Sequence, residues 1–181
     1  MRVIGIDPGT WRMGYGVVDA RDGEQAAVEC GVLSPKGSPP IEARLLYLYT
    51  TLLETIDRLA PDTMAVEEPF VSQAIAGNAK TAVAIGQAQA VALMAAAARD
   101  VPVARYTPAQ VKQTITGFGA GSKEQVAIMV QMLLHMSSLP SPLDATDALA
   151  IALCHLRERS VESMVIQAPT KRRTSRSRVE G

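Results

Sequence analysis

The sequence predicts an α/β fold: a five-stranded mixed sheet in the order 3-2-1-4-5, flanked by helices. Three observations predict it. Three short apolar runs end at Leu33 and are separated only by tight-turn residues, which reads as an antiparallel meander. Beyond the loop at 34–40 the apolar period changes from two residues to about 3.6. From there strand-like and helix-like segments alternate, so the fourth and fifth strands, each reached through a helix, lie parallel to the first.

The first strand, Arg2-Val-Ile-Gly-Ile-Asp7, runs into a Pro8-Gly9 turn. The second spans 14–19 and is joined through Arg21-Asp22-Gly23 to a third over 26–33. Leu45, Leu48, Leu52, Ile56 and Leu59 recur at helical spacing, and Pro61 stops that helix. The fourth strand is Thr63-Met-Ala-Val-Glu67. A long helix covers 79–99 and a fifth strand 101–106. Thr107-Pro108 opens another helix as N-cap and first residue. A glycine-rich loop follows at 117–121, and Ser122 caps a helix to about residue 134, with Glu124 suiting its dipole. The last helix runs from 143 to about 159. Residues 1–160 form one domain, and 161–181 a basic tail that reads as unstructured beyond Gln167.

A chain of 181 residues with 48% hydrophobic and 20% charged content is globular, which excludes a largely disordered protein. Its two cysteines, Cys30 and Cys154, stand too far apart for a zinc knuckle or a disulfide framework and suit a reducing compartment. Aromatic residues make up 4%, which argues against a single-strand binder built on stacking. No run approaches the roughly 18 apolar residues of a membrane span, so a soluble cytoplasmic protein is expected. The net charge is zero but uneven. Residues 171–181 carry five of the 18 basic and one of the 18 acidic residues, which leaves the body at −4 and the tail at +4. Lys171, Arg172, Arg173, Arg176 and Arg178 read either as a solvated tail or as a flexible arm for nucleic acid.

The predicted order places strand 1 at the switch point, where ligands bind beyond the carboxyl ends of strands. Asp7 ends strand 1 and Glu67 ends strand 4. Asp144 and Asp147, three apart near a helix start, share a face. Taken singly, Asp7 reads equally as the opener of an Asp-Pro-Gly turn, and Asp144 and Asp147 as first-turn acids complementing a dipole. Glu67 and Glu68 point to opposite faces of a strand, so only one of them can face a site. Converging at one end of the sheet, four carboxylates suit hard divalent cations and phosphodiester hydrolysis.

These residues carry a resemblance. Ile4-Gly-Ile-Asp-Pro-Gly9, Gly14-Tyr-Gly16, Ala65-Val-Glu67 with Phe70, Gly86-Gln-Ala-Gln89, Gln110-Val-Lys-Gln-Thr114 and Asp144-Ala-Thr-Asp-Ala-Leu-Ala-Ile151 occur in order. From Arg2 to about His155 the chain resembles the RuvC family of Holliday-junction resolvases, which have the ribonuclease-H-like fold. The resemblance implies that Asp7, Glu67, Asp144 and Asp147 are metal-binding catalytic acids, and it selects Glu67 over Glu68. It implies Mg²⁺ or Mn²⁺ as cofactor, two ions per site with DNA bound. It also implies that Lys112 and Lys123 contact phosphate near the cut and that Phe70 stacks on a base of a four-way junction. The partners it implies are junction DNA, a second copy in a homodimer, and the RuvA–RuvB branch-migration complex. Helix 79–99, with Ala82, Gly86 and Ala90 at a spacing of four, is the expected dimer contact. Glu68-Pro69 and Gln89 depart from the family pattern; Gln89 falls where a basic residue is expected. Three rivals remain at this point: a YqgF-type ribonuclease-H-like nuclease acting on structured RNA, an actin-like ATP-binding domain, whose opening motif is similar, and a non-catalytic junction-binding protein, which would bind but never cut.

Overall fold

The structure is a computed structural model and describes residues 1–68, 79–117 and 121–167. Strands β1 (Arg2–Asp7), β2 (Met13–Arg21), β3 (Glu24–Leu33), β4 (Thr63–Glu67) and β5 (Val103–Tyr106) form one sheet. Its order is β3-β2-β1-β4-β5, as the sequence predicts. β1 pairs antiparallel with β2 and parallel with β4, β2 antiparallel with β3, and β4 parallel with β5. The helices are α1 (Ile41–Leu59), α2 (Ala79–Ala97), α3 (Pro108–Thr116), α4 (Lys123–Leu133) and α5 (Leu143–Gln167).

Several boundaries differ from the sequence reading, among them the end of α2, which comes at Ala97 and not at residue 99. β2 and β3 extend to a two-residue turn at Asp22-Gly23, where both residues have positive φ, 54° and 85°. The added positions, Ala20, Arg21, Glu24 and Gln25, are mostly polar and gave no apolar signal. β5 begins at Val103 because Pro102 has no N–H for a ladder, although its carbonyl accepts from Met64 N at 2.8 Å. α5 continues to Gln167, well past residue 159.

Alternation along β1 and β4 sorts their side chains into two cores. Ile4, Ile6, Met64 and Val66 face one way and pack with Leu48, Leu52 and Ile56 of α1 and Ala88 and Ala92 of α2. Val3 and Ala65 face the other way and pack with Val111 of α3, Val130 of α4, and Leu149 and Leu153 of α5. The sheet is therefore the middle of three layers. Burial of each Leu or Ile here is worth about 1.5–3 kcal/mol, which seats the helices without fixing how close they come.

Closeness is set by glycines. A Cβ on Gly5 would overlap the carbonyl oxygen of Ala148 and lie 2.7 Å from Ala152 N. One on Gly14 would overlap the carbonyl oxygen of Asp144, and one on Gly16 would lie 2.7 Å from Leu149 N. The backbone of α5 thus lies directly on the backbones of β1 and β2. Gly5→Ala is expected to destabilise the fold by about 1–3 kcal/mol through overpacking, read as a lowered urea midpoint. Gly86→Ala, whose Cβ meets nothing among the described residues, is expected to stabilise the fold by about 0.5–1 kcal/mol through helix propensity, read as a raised midpoint. Equal midpoints for the two variants would show that α5 does not sit this close.

Candidate active site

Asp7 and Glu67 are brought together by strand register. Ile6 is level with Val66 in the parallel pair, so the next residues, Asp7 and Glu67, leave the sheet side by side. Both share the parity of Gly5 and Ala65 and so face α5. Glu68, one residue on, has the other parity. Its N–H donates to Tyr106 O at 2.7 Å, and its carboxylate lies 3.7 Å from Arg105 Nη1.

The helix contributes from above. Asp7 is paired with Gly14 across β1 and β2, and Gly14 lies beneath the carbonyl of Asp144. The first turn of α5 is therefore held over the end of β1. Asp7, Glu67 and Asp147 line one cavity of about 170 Å³ together with Lys112 of α3 and Lys123 of α4. Pro108, Val111 and Val126 form its apolar walls. Lys123 Nζ lies 3.3 Å from Asp147 Oδ2, and this carboxylate holds the ammonium above its usual pKa. Asp144 stands outside the cavity lining; its Oδ2 accepts from Arg12 Nη2 at 2.7 Å.

Crowding perturbs the buried acids. Asp7 is pushed up to about 6, first by burial and then by the charges of Asp147 and Asp144, with Lys123 opposing. Glu67 is pushed up to about 7 by burial, then by Asp7 and Asp147, with Lys123 and Lys112 opposing. Buried carboxylates that repel one another are a common sign of a functional site.

The structure brings together Asp7, Glu67, Asp147, Lys112 and Lys123, and sets Asp144 beside them. Phe70 and the basic residues 171–178 lie outside the described residues. Gln89 is on α2, across the sheet from the cavity, and its Nε2 is buried. His155 is buried and shares a 2.8 Å hydrogen bond with the Tyr106 hydroxyl, as expected of a satisfied core histidine. Trp11 is half exposed, with the Arg44 guanidinium 3.9 Å from its ring centre. The sequence reading missed Arg12, because nothing in the turn after Gly9 connects it to a helix 132 residues later. It also passed over the capping boxes Thr107/Gln110 and Ser122/Gln125, although Thr-x-x-Gln and Ser-x-x-Gln were there to be read.

Residues 3–155 match the family model of the crossover junction endodeoxyribonuclease RuvC. The chain belongs to the RuvC family. The RuvC of Dehalococcoides mccartyi is 46% identical over 167 residues, covering 92% of this chain and 99% of that one. The RuvC of Moorella thermoacetica is 50% identical over 157 residues, 86% of this chain and 90% of that one. Among solved structures, T. thermophilus RuvC in complex with Holliday junction substrate superposes with a TM-score of 0.82 at 35% identity, over 90% of this chain and 97% of that one. The yeast mitochondrial Holliday junction resolvase shares the fold, with a TM-score of 0.63 at 17% identity over 90% of this chain and 80% of that one. Family membership favours the RuvC reading over the YqgF and actin-like rivals. No helix among the described residues is long and apolar enough to cross a membrane.

The donor set of this RuvC-family site suits a hard divalent cation: carboxylate oxygens, two of them held up in pKa first by burial and then by the charges of neighbouring acids, which a cation offsets. Among the described residues no three Asp, Glu, His or Cys side chains form a closed metal-ligand cluster, and two of the four acids are engaged by Lys123 and Arg12. The raised values set a pH dependence. In the fold Asp7 and Glu67 favour their neutral forms above the ordinary 3.8 and 4.5, so metal-free stability falls as pH rises from about 4 through about 7. Each kcal/mol of this penalty lowers Tm by about 2–4 °C in a domain of this size. Thermal melts at pH 5 and pH 8 in chelator should show the loss, and Mg²⁺ at pH 8 should reverse it. Both effects should shrink in an Asp7→Asn, Glu67→Gln double variant; if the variant keeps the full pH response, the cause lies elsewhere.

Proposed function

We propose that this protein is a homodimeric, divalent-metal-dependent endonuclease that resolves Holliday junctions in DNA recombination and repair. Each protomer nicks one of two like-polarity strands and leaves 5′-phosphate and 3′-hydroxyl ends. The observation that carries the proposal is the meeting of Asp7, Glu67 and Asp147 with Lys112 and Lys123 in one cavity of a RuvC-family chain. T. thermophilus RuvC, at 35% identity, is described in complex with Holliday junction substrate, which supports the same substrate here.

In this reading Asp7, Glu67, Asp144 and Asp147 hold the cations, Mg²⁺ or Mn²⁺, two per site once DNA is present. A divalent cation, when bound, supplies Lewis-acid activation of the attacking water and stabilises the leaving oxygen. The chain's own residues do the rest. Asp7 and Glu67, fixed on adjacent strand ends, set the spacing of the oxygen ligands. Lys112 and Lys123 draw the strand's phosphates towards the acids, contacts that position DNA without reading its sequence. Phe70 stacks on a junction base, and the residues 171–178 add phosphate affinity. Residues 1–160 are then the nuclease domain and 161–181 its basic C-terminal tail, which begins within the last turns of α5. Work in the cytoplasm with the RuvA–RuvB complex completes the proposal.

The dimer reading draws on the face of the sheet opposite the cavity. There Leu45, Leu46 and Tyr49 of α1 and Val91 and Met94 of α2 line an apolar groove, with Leu46 63% and Met94 60% exposed. Paired incision requires two active sites, so a two-fold contact on this layer belongs to the mechanism.

The decisive assay is a mobile synthetic four-way junction incubated with and without Mg²⁺ or Mn²⁺. Asp7→Asn and Asp147→Asn should bind the junction but cut it at least about 100-fold more slowly, since metal-assisted stabilisation is worth several kcal/mol. Glu67→Gln should be severe and Glu68→Gln mild; the reverse order would show that Glu68, not Glu67, serves the site. Faster cutting of a matched RNA junction would favour the YqgF reading. In sedimentation, Ala82→Asp or Gly86→Asp should give monomers that lose paired incision, whereas dimeric variants would place the interface elsewhere.

A further inference from the structure

Arg12 sits in the turn between β1 and β2, and nothing in the function proposed above uses it. Its Nη2 donates to Asp144 Oδ2 at 2.7 Å. Both backbones are held in place: a Cβ on Gly9 would overlap the carbonyl oxygen of Arg12, and one on Gly14 would overlap that of Asp144. The turn and the first turn of α5 are thus seated on the same strand ends, and the ion pair spans the short gap between them. The side chains remain accessible, 49% for Arg12 and 32% for Asp144.

The position of the pair matters. Asp144 stays out of the cavity that holds Asp7, Glu67 and Asp147, yet its charge still raises the pKa of Asp7. Asp144 is therefore close enough to act on the site and is held at its rim by a guanidinium. A carboxylate oxygen committed to a guanidinium N–H has less charge to give to a metal ion, because the two cations compete for the same electron pairs. Lys123 stands in the same relation to Asp147 from the other side, at a looser 3.3 Å.

We infer that Arg12 is a positioning residue that holds Asp144 at the rim of the site and competes with the divalent cation for its carboxylate, so that it sets the metal concentration at which the site loads. The inference rests on the reading of Asp144 as a metal ligand. It gives an unusual sign: removing a well-placed residue of the site should improve metal binding. A merely structural role for Arg12 would give the opposite sign, since a loosened turn weakens a site.

The test is calorimetric titration of Mn²⁺ into the DNA-free full-length protein, with thermal melts to confirm folding. Arg12→Gln should tighten Mn²⁺ binding about two- to fivefold, the range an exposed ion pair commands. Arg12→Lys keeps a cation beside Asp144 and should stay near the parent affinity. Asp144→Asn should weaken binding. If Asp144→Asn weakens binding while Arg12→Gln leaves it unchanged or weaker, the competition is overturned and the metal site stands. If Asp144→Asn has no effect on Mn²⁺ affinity, Asp144 is not a ligand, and both that assignment and the inference fall.

Discussion

The structure depends on the bare contact between the backbone of α5 and the glycines of β1 and β2. Gly5, Gly14 and Gly16 leave a shallow trough, and the helix backbone lies close enough that a Cβ at any of the three would meet it. Ordinary helix-on-sheet packing holds the two layers about a side chain apart, which would leave the acids of α5 short of the strand ends. Here Asp144 and Asp147 descend to the level of Asp7. The apolar cores supply the energy of docking, but the absence of three Cβ atoms supplies the geometry, and the cavity follows from it.

That geometry has an electrostatic consequence. Three carboxylates around one small cavity and a fourth at its edge oppose one another, and two of them are also buried. The fold offsets the repulsion in three ways. Lys123 and Lys112 set positive charge against the acids, Arg12 pairs with Asp144 at the edge, and Asp7 and Glu67 take up protons more readily than free carboxyls do. The cations favour the ionised carboxylates and the protons discharge them, and both reduce the repulsion that burial leaves unscreened. Strain of this kind is common where function needs like charges together.

Much of this was legible in the sequence, for reasons specific to each residue. The sheet order followed from a meander succeeded by two crossovers, and the ends of β1 and β4 were marked by a change from apolar residues to Asp7 and Glu67. Alternation alone could not choose between Glu67 and Glu68, because a strand's parity has no meaning until one face is assigned to a partner. The structure assigns it, since Ala65 joins the core under α5. The length of α5 was not legible, because the polar run Arg157-Glu158-Arg159-Ser160 interrupts the apolar pattern of the helix. Arg12 was invisible because an ion pair between a turn and a helix 132 residues away leaves no local trace. The trough was the subtlest case. Gly5, Gly14 and Gly16 were in plain view as parts of motifs, but a missing Cβ shows its purpose only when the group that fills its place is known.

The capped starts of α3 and α4 have a further meaning. Pro108, the first residue of α3, and Lys123, the first of α4, both border the cavity, so two helices begin at its wall. A helix start carries roughly half a positive charge. The carboxylates come from the sheet and α5, and the positive ends come from α3 and α4 across from them. The cavity is thus divided into an acidic floor that attracts cations and a basic wall that attracts anions. Charge of either sign therefore meets its complement on one side of the cavity.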